Sequence, residues 1–239
     1  MPRSVAIIQA RMGSSRLPGK VLMDLAGYPV LFHVVQRSSQ MGTDLVLVAT
    51  SSRPADDPIA NLCDHHAWPC FRGSEEDLLD RYYQAAREYD AEHVIRVTAD
   101  NPLVCPTQAR VVLSHHLSES ADYTHMEGLP LGASVEVIFF PALERAWREA
   151  RRPEEREHVT PYLYKSGLFK QERLHAPVEL RAPELRLTVD EQDDLELMRR
   201  IYARLYHEDD IISLNDVVAL LRSEPALALL NAHVVQRSL

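Results

Sequence analysis

Cysteine is scarce in this sequence, with three residues in 239: Cys63, Cys70 and Cys105. So odd and sparse a set excludes a disulfide framework and reads as reduced thiols. Histidines do not turn it into a zinc site, because Cys63, His65, His66 and Cys70 match no ligand spacing. Long apolar runs are missing too; none approaches the ~20 residues that a membrane span needs. The start, Met1-Pro2-Arg3-Ser4-Val5, has neither the apolar core nor the small-residue cleavage site of a secretory signal. Net positive charge is also lacking: 26 Lys and Arg stand against 35 Asp and Glu, a formal charge of -9. That balance argues against a nucleic-acid binder, which presents a basic face. The expectation is a cytoplasmic protein with neither nucleic acid nor membrane as a partner.

What is present is the composition of a folded protein, 46% hydrophobic and 26% charged. With no repeat and no low-complexity linker, a single domain over 1–239 is expected. The apolar runs Ser4–Ala10, Asp44–Thr50 and His93–Thr98 read as strands buried on both faces. Helices are expected at Pro29–Gln40 and Asp57–Ala67. Phe71–Ser74 reads as a turn, with Ser74 capping the next helix and Asp77 completing its capping box. Further along, a helix is expected at Thr107–Leu117, a strand at Val135–Phe140, and helices at Pro141–Arg151 and Glu155–Lys165. Glu172–Leu180 reads as a strand or hairpin arm and Leu185–Val189 as a strand. Asp190–Tyr206 and Ser213–Leu221 follow as helices. This alternation predicts a three-layer α/β fold, with a mainly parallel sheet covered by helices on both faces. In such sheets, ligands sit outside the carboxyl ends of the strands.

Charge is unevenly placed. The first 23 residues carry Arg3, Arg11, Arg16 and Lys20 and no acid; the first carboxylate is Asp24. The loop after the first strand reads Gln9-Ala10-Arg11-Met12-Gly13-Ser14-Ser15-Arg16-Leu17-Pro18-Gly19-Lys20. Its small residues let backbone amides approach a phosphate, and Arg11, Arg16 and Lys20 add three cations around it. It is not a Walker A loop, since Val21 stands where Ser or Thr would hold Mg²⁺, and no Gly-x-Gly-x-x-Gly fingerprint is present. The plain alternative is a surface turn with solvated charges.

Here a resemblance becomes specific. AIIQARMGSSRLPGKVL resembles the signature of cytidylyltransferases that activate acidic sugars, the acylneuraminate and 3-deoxy-manno-octulosonate enzymes, and above all their spore-coat polysaccharide (SpsF-type) relatives. It continues through FRGSEEDLLDRYYQAA, RVTADNPL, EHVTPYLY and LRLTVDEQDDLELMRRIY, and so spans roughly residues 4–206 in matching order. The resemblance implies the Rossmann-like GT-A fold of nucleotide-diphospho-sugar transferases and a homodimer. It implies a Mg²⁺-dependent transfer of CMP from CTP to a sugar, an acidic one in these relatives, with release of pyrophosphate. The product would feed surface polysaccharide or glycoconjugate synthesis.

The implied roles fall on definite residues. Ala10, Arg11, Met12, Gly13, Ser14, Ser15, Arg16 and Lys20 would bind nucleotide, with Arg72, Gly73, Ser74 and Thr98 near ribose or base. Thr98 replaces the glutamine of the octulosonate enzymes. Asp100 and Asp190, read as the ends of two strands, supply the hard oxygens that Mg²⁺ prefers, and the resemblance gives both the metal role. With Arg11 and Lys20 they form the catalytic set. Each aspartate has a structural alternative: Asp100 can cap the turn before Pro102, and Asp190 can cap its helix with Asp193. Glu136, His158 and Thr160 are candidates for contacts with the sugar, against an outward strand residue and a packed histidine. Two rival functions remain. A GT-A glycosyltransferase would show Asp-x-Asp where this chain has Thr98-Ala99-Asp100; a degenerate scaffold would not keep Arg11, Arg16, Lys20, Asp100 and Asp190.

Overall fold

The computed structural model describes residues 3–208 and 210–236. Nine strands run through it: β1 Ser4–Gln9, β2 Asp24–Leu25, β3 Tyr28–Pro29, β4 Leu45–Ser51, β5 Cys70–Gly73, β6 His93–Thr98, β7 Tyr123–Glu127, β8 Glu136–Phe139 and β9 Gln171–His175. The helices are α1 Val30–Ser38, α2 Asp57–His65, α3 Leu78–Glu88, α4 Pro106–Glu119 and α5 Phe140–Glu149, then α6 Pro153–His158, α7 Pro161–Lys165, α8 Gln192–Leu205, α9 Leu214–Ser223 and α10 Pro225–Ala228. Among the described residues, no helix is long and apolar enough to cross a membrane.

Seven strands form one sheet in the order β5-β4-β1-β6-β8-β7-β9, and β2 and β3 make a separate two-residue ribbon. Pairing is parallel from β5 to β6 and again between β7 and β9; β8 runs antiparallel to both its neighbours. Alternating side chains of β1 feed two cores. Ala6 and Ile8 face one shared by α1, α2, α4, α8 and α9, while Val5 and Ile7 face one built on α3, α5 and α7. A strand apolar on both sides needs helices on both sides, and it has them. Register then fixes the working edge. Gln9 pairs with Ala49 and Thr98, so the loops leaving β1, β4 and β6 emerge together at the carboxyl edge of the sheet.

Several local expectations are corrected. Cys70–Gly73 is an edge strand pairing with β4, not a turn. Helix α3 starts at Leu78 and is capped by Asp77, whose carboxylate accepts from Asp80 N at 2.9 Å; Ser74 Oγ only receives Asp77 N at 3.0 Å. The expected helix Glu155–Lys165 is two, because Val159 adopts φ 71 and ψ -56 between them and Thr160 N donates to His158 O at 2.8 Å. This is the rare positive-φ γ-turn. Leu185–Val189 is extended but makes only one bridge, Leu131 with Arg186, outside the sheet. Its backbone pairs with two loops instead: Leu187 N donates to Leu131 O and Val189 N to Asp100 O. Strand β7, YTHME, was not expected, because His125 and Glu127 break up its apolar pattern. Helix α8 is capped by Glu191, with Asp194 rather than Asp193 completing the box.

Candidate functional site

The loop after β1 is shaped by its own backbone. Ala10 N donates to Ala49 O, extending the edge of the sheet by one bond, and Met12 N donates to Asp56 Oδ1 at 2.6 Å. Asp56 is held in turn by the hydroxyl of Ser51. Gly19, at φ 71, reverses the chain so that its N–H closes on Met12 O at 3.0 Å. That left-handed turn suits glycine, which has no Cβ to clash. A short 3-10 turn, Lys20–Leu22, follows and drives Lys20 inward. Leu17 N donates to Ser14 Oγ, while Arg11, Gly13 and Ser15 remain exposed.

Lys20 Nζ lies between two carboxylates, donating to Asp100 Oδ2 at 2.6 Å and to Asp190 Oδ1 at 2.8 Å. Arg16 Nη2 reaches the same Asp190 oxygen at 3.0 Å, and its Nη1 lies 3.4 Å from Glu191 Oε1. Burial alone would lower the Lys20 pKa, but the charges and hydrogen bonds of Asp100 and Asp190 outweigh it and hold the amine above its ordinary value. The reverse holds at Asp190: burial would raise its pKa, and Lys20, then Arg16 and Arg186, pull it below the ordinary aspartate value. Both groups are therefore charged at neutral pH.

Each carboxylate is anchored from behind. Thr98 Oγ1 donates to Asp100 Oδ1 at 2.6 Å, and Asp100 O receives Val189 N at 2.8 Å. This backbone bond joins the two aspartates' segments. Asp190 Oδ2 is taken by Arg186 Nη2 at 2.5 Å, leaving Oδ1 to face Lys20 and Arg16. Arg186 Nε also bonds Asp194, which is fully buried and accepts from the backbone N–H groups of Asp190 and Glu191 and from Asn231 Nδ2. Arg186, Asp194 and Asn231 were not singled out in the sequence; only the repeated acids of DEQDD hinted at an N-terminal cap.

A cavity of about 220 Å³ adjoins this cluster, lined by Arg96, Thr98, Asn101, Tyr123, His125 and Glu136 among others. Antiparallel pairing sets Arg96 opposite Glu136, and Arg96 Nη1 donates to Glu136 Oε2 at 2.5 Å. The Tyr123 hydroxyl donates to the other Glu136 oxygen. Burial, and after it the Glu136 charge, raises the Tyr123 pKa. Glu136 is thus neither outward-facing nor free. His158 has its pKa lowered by burial, with Arg96, Arg11 and Lys165 adding to the effect against Glu157. Thr160 is buried behind it. Arg72 is occupied elsewhere, donating to Ser51 O, Arg53 O and Asp57, and makes no contact with the Lys20 cluster. Gly73 packs against Phe71 and Arg81, and among the described residues Ser74 Oγ receives only the backbone bond described above.

Two carboxylates gathered round one cation, beside an exposed basic loop, suit an anionic substrate carrying its own cation. Among the described residues, no group of three or more His, Cys, Asp or Glu side chains gathers into a metal site. A divalent ion at Asp100 and Asp190 would therefore draw its other ligands from substrate oxygens and water.

Comparison with known proteins gives the chain its family. The chain is 36% identical over 238 residues to the uncharacterised protein MJ1063 of Methanocaldococcus jannaschii, covering 98% of this chain and 96% of the other. It is 36% identical over 229 residues to the spore coat polysaccharide biosynthesis protein SpsF of Bacillus subtilis, covering 93% and 95%. A solved cytidylyltransferase from Leptospira borgpetersenii superposes with a TM-score of 0.88 at 26% identity, covering 95% of this chain and 97% of that one. The family model described as cytidylyltransferase matches residues 5–220. On that match, the chain belongs to the cytidylyltransferase family of nucleotidyltransferases.

Proposed function

We propose that this chain transfers CMP from CTP to a sugar hydroxyl, releasing pyrophosphate, in the synthesis of a surface polysaccharide or glycoconjugate. One observation carries the reading: Lys20, from the first loop, is bonded to both Asp100 and Asp190, from two distant segments. Cations and carboxylates from three parts of the chain thus face one point.

In this reading the amides of Gly13 to Ser15 and the side chains of Arg11, Arg16 and Lys20 hold the triphosphate, while the Met12 amide stays on Asp56 and fixes the loop. Asp100 and Asp190 would hold Mg²⁺, which would neutralise charge at the α-phosphate. The donor set fits that ion, being two hard carboxylates already arranged round a cation. When nucleotide binds, Lys20 and Arg16 exchange carboxylate for phosphate and stabilise the departing pyrophosphate. The acceptor enters the cavity beside Thr98 and Asn101, where the Arg96–Glu136–Tyr123 cluster orients it for in-line attack. His158, which feels the charge of Arg96, and Thr160 are assigned to the acceptor as well. The working form is taken to be a homodimer, as the resemblance implies, acting in the cytoplasm, as the sequence leads us to expect.

A pyrophosphate-release screen tests this, using CTP, UTP, ATP and GTP with Mg²⁺ against acidic, amino and neutral sugars. Release with CTP alone, dependent on one sugar class and abolished in Asp100→Asn, is the expected result. Release without any sugar preference, or an active Asp100→Asn protein of wild-type stability, would contradict it.

A further inference from the structure

A buried arginine is left over once these roles are assigned. Arg81, on the second turn of α3, is 2% exposed. Among the described residues, its side chain makes no hydrogen bond or ion pair, and Nε and Nη1 are both buried without a partner. Other buried arginines are not left in this state. Arg37 donates to Val104 O and Ile212 O, and Arg186 bonds Asp190 and Asp194. A guanidinium shut away with its donors unmade is costly, because neither water nor protein replaces its lost hydration. Native structures keep such groups mainly where something else completes them.

Its surroundings say where that partner would be. Arg81 Cγ lies 3.2 Å from where a Cβ on Gly73 would stand, so it packs under the carboxyl end of β5. The charged groups that act on it are Arg11, Asp56 and Glu75. Arg11 belongs to the first loop, and Asp56 binds the amide of Met12. Glu75 Oε1 lies 3.8 Å from a would-be Cβ on Gly13. All three of these charged groups belong to or touch the loop assigned to nucleotide. Asp56 is already bonded to Ser51 and Met12, and Glu75 is paired with Arg53 at 2.8 Å. Neither is bonded to Arg81.

Resting on the CTP reading above, we propose that Arg81 is a nucleotide-binding residue that donates to the N3 and O2 acceptors of the cytosine ring. A guanidinium offers only donors. Cytosine presents two adjacent acceptors there, whereas uracil presents an N3–H donor, which an arginine cannot accept. The unpaired state in the free protein is the cost of that selectivity, since a site built to pair a given edge is penalised when the edge is wrong.

The test is Arg81→Met, which keeps the aliphatic stem and removes the buried cation, alongside Arg81→Lys. Two readings are needed: thermal stability without ligand, and calorimetric affinity for CTP and UTP with Mg²⁺. The expected result is that Arg81→Met equals or exceeds wild-type stability, yet loses about tenfold or more in CTP affinity with UTP affinity little changed. Arg81→Lys should also lose the preference for CTP, since a single ammonium does not reproduce the fork. Equal losses for CTP and UTP would reassign Arg81 to the phosphates and overturn the proposal. So would a large fall in stability with CTP preference intact, which marks a structural arginine. A wild-type protein that binds UTP as well as CTP would overturn the CTP reading itself.

Discussion

At the scale of the residue, Lys20 holds the most consequential position. Its amine stands between Asp100 and Asp190, the two carboxylates proposed above as metal ligands. Lys20→Ala is expected to weaken CTP binding more than CMP binding, because the lost contacts are to the phosphates that CMP lacks. Parallel calorimetric titrations check this, and equal losses would remove the pyrophosphate role. The same ion pairs shape stability against pH. Asp190 is depressed below its ordinary value of 3.8, so its contribution is present above that value and disappears as pH falls through the lower folded pKa. Lys20 is raised above 10.5, so its share is present below that value and disappears as pH rises through the higher folded pKa. Asp190→Asn should therefore flatten the acid limb of a stability–pH profile below about pH 4 while leaving the neutral plateau flat. An unchanged acid limb would place the acid sensitivity elsewhere.

At the scale of the element, the start of α3 separates two readings of one motif. In FRGSEEDLLD, Ser74 resembles a cap with an acid three residues on, but the strand β5 extends to Gly73 and moves the helix start to Leu78. Asp77 is the cap and also pairs with Arg156 of α6. Asp77→Ala should cost about 1 to 2 kcal/mol in urea denaturation, and Ser74→Ala clearly less. The order would reverse if Ser74 were the true cap. Much else at this scale was legible. His93–Thr98 is a strand with the expected bounds, and the helix expected at Ser213–Leu221 is α9, with Ser213 as its cap rather than its first residue. These segments carry dense local signals, an apolar run or a capping side chain. Leu185–Val189 shows what was not legible. It is extended and buried, with Leu187 and Val189 fully so, but a short apolar run alone cannot tell a sheet strand from an extended segment pinned between two loops. Gly132 hides a similar fact, because a Cβ there would stand 2.8 Å from Leu187 O. Only the folded chain shows that the Leu129–Ser134 turn supports the approach to Asp190.

At the scale of the whole molecule, the site draws on segments far apart in the chain, including one beyond the family match that ends at residue 220. Asn231 donates to Asp194 at 2.8 Å and to Arg186 O at 3.1 Å, and Arg186 fixes one oxygen of Asp190. Asn231→Ala should reduce turnover about tenfold through misplacement of Asp190, with a smaller change in the KM for CTP. It should have little further effect in an Asp190→Asn background. Additive losses would show that the tail acts on stability alone. Arg16, Lys20, Asp100 and Asp190, which the structure brings together, lie in compact motifs, whereas this support is scattered over fifty residues and has no local signature.

The central claim is that Lys20 gives up its two carboxylates to a metal-bound polyphosphate. It is tested most directly by a crystal structure with CTP and Mn²⁺, the ion located from its anomalous scattering. The account predicts an anomalous peak bonded to both Asp100 and Asp190, with Lys20 and Arg16 moved onto the phosphates. A nucleotide bound while Lys20 still bridges the two aspartates, with the metal elsewhere, would contradict it.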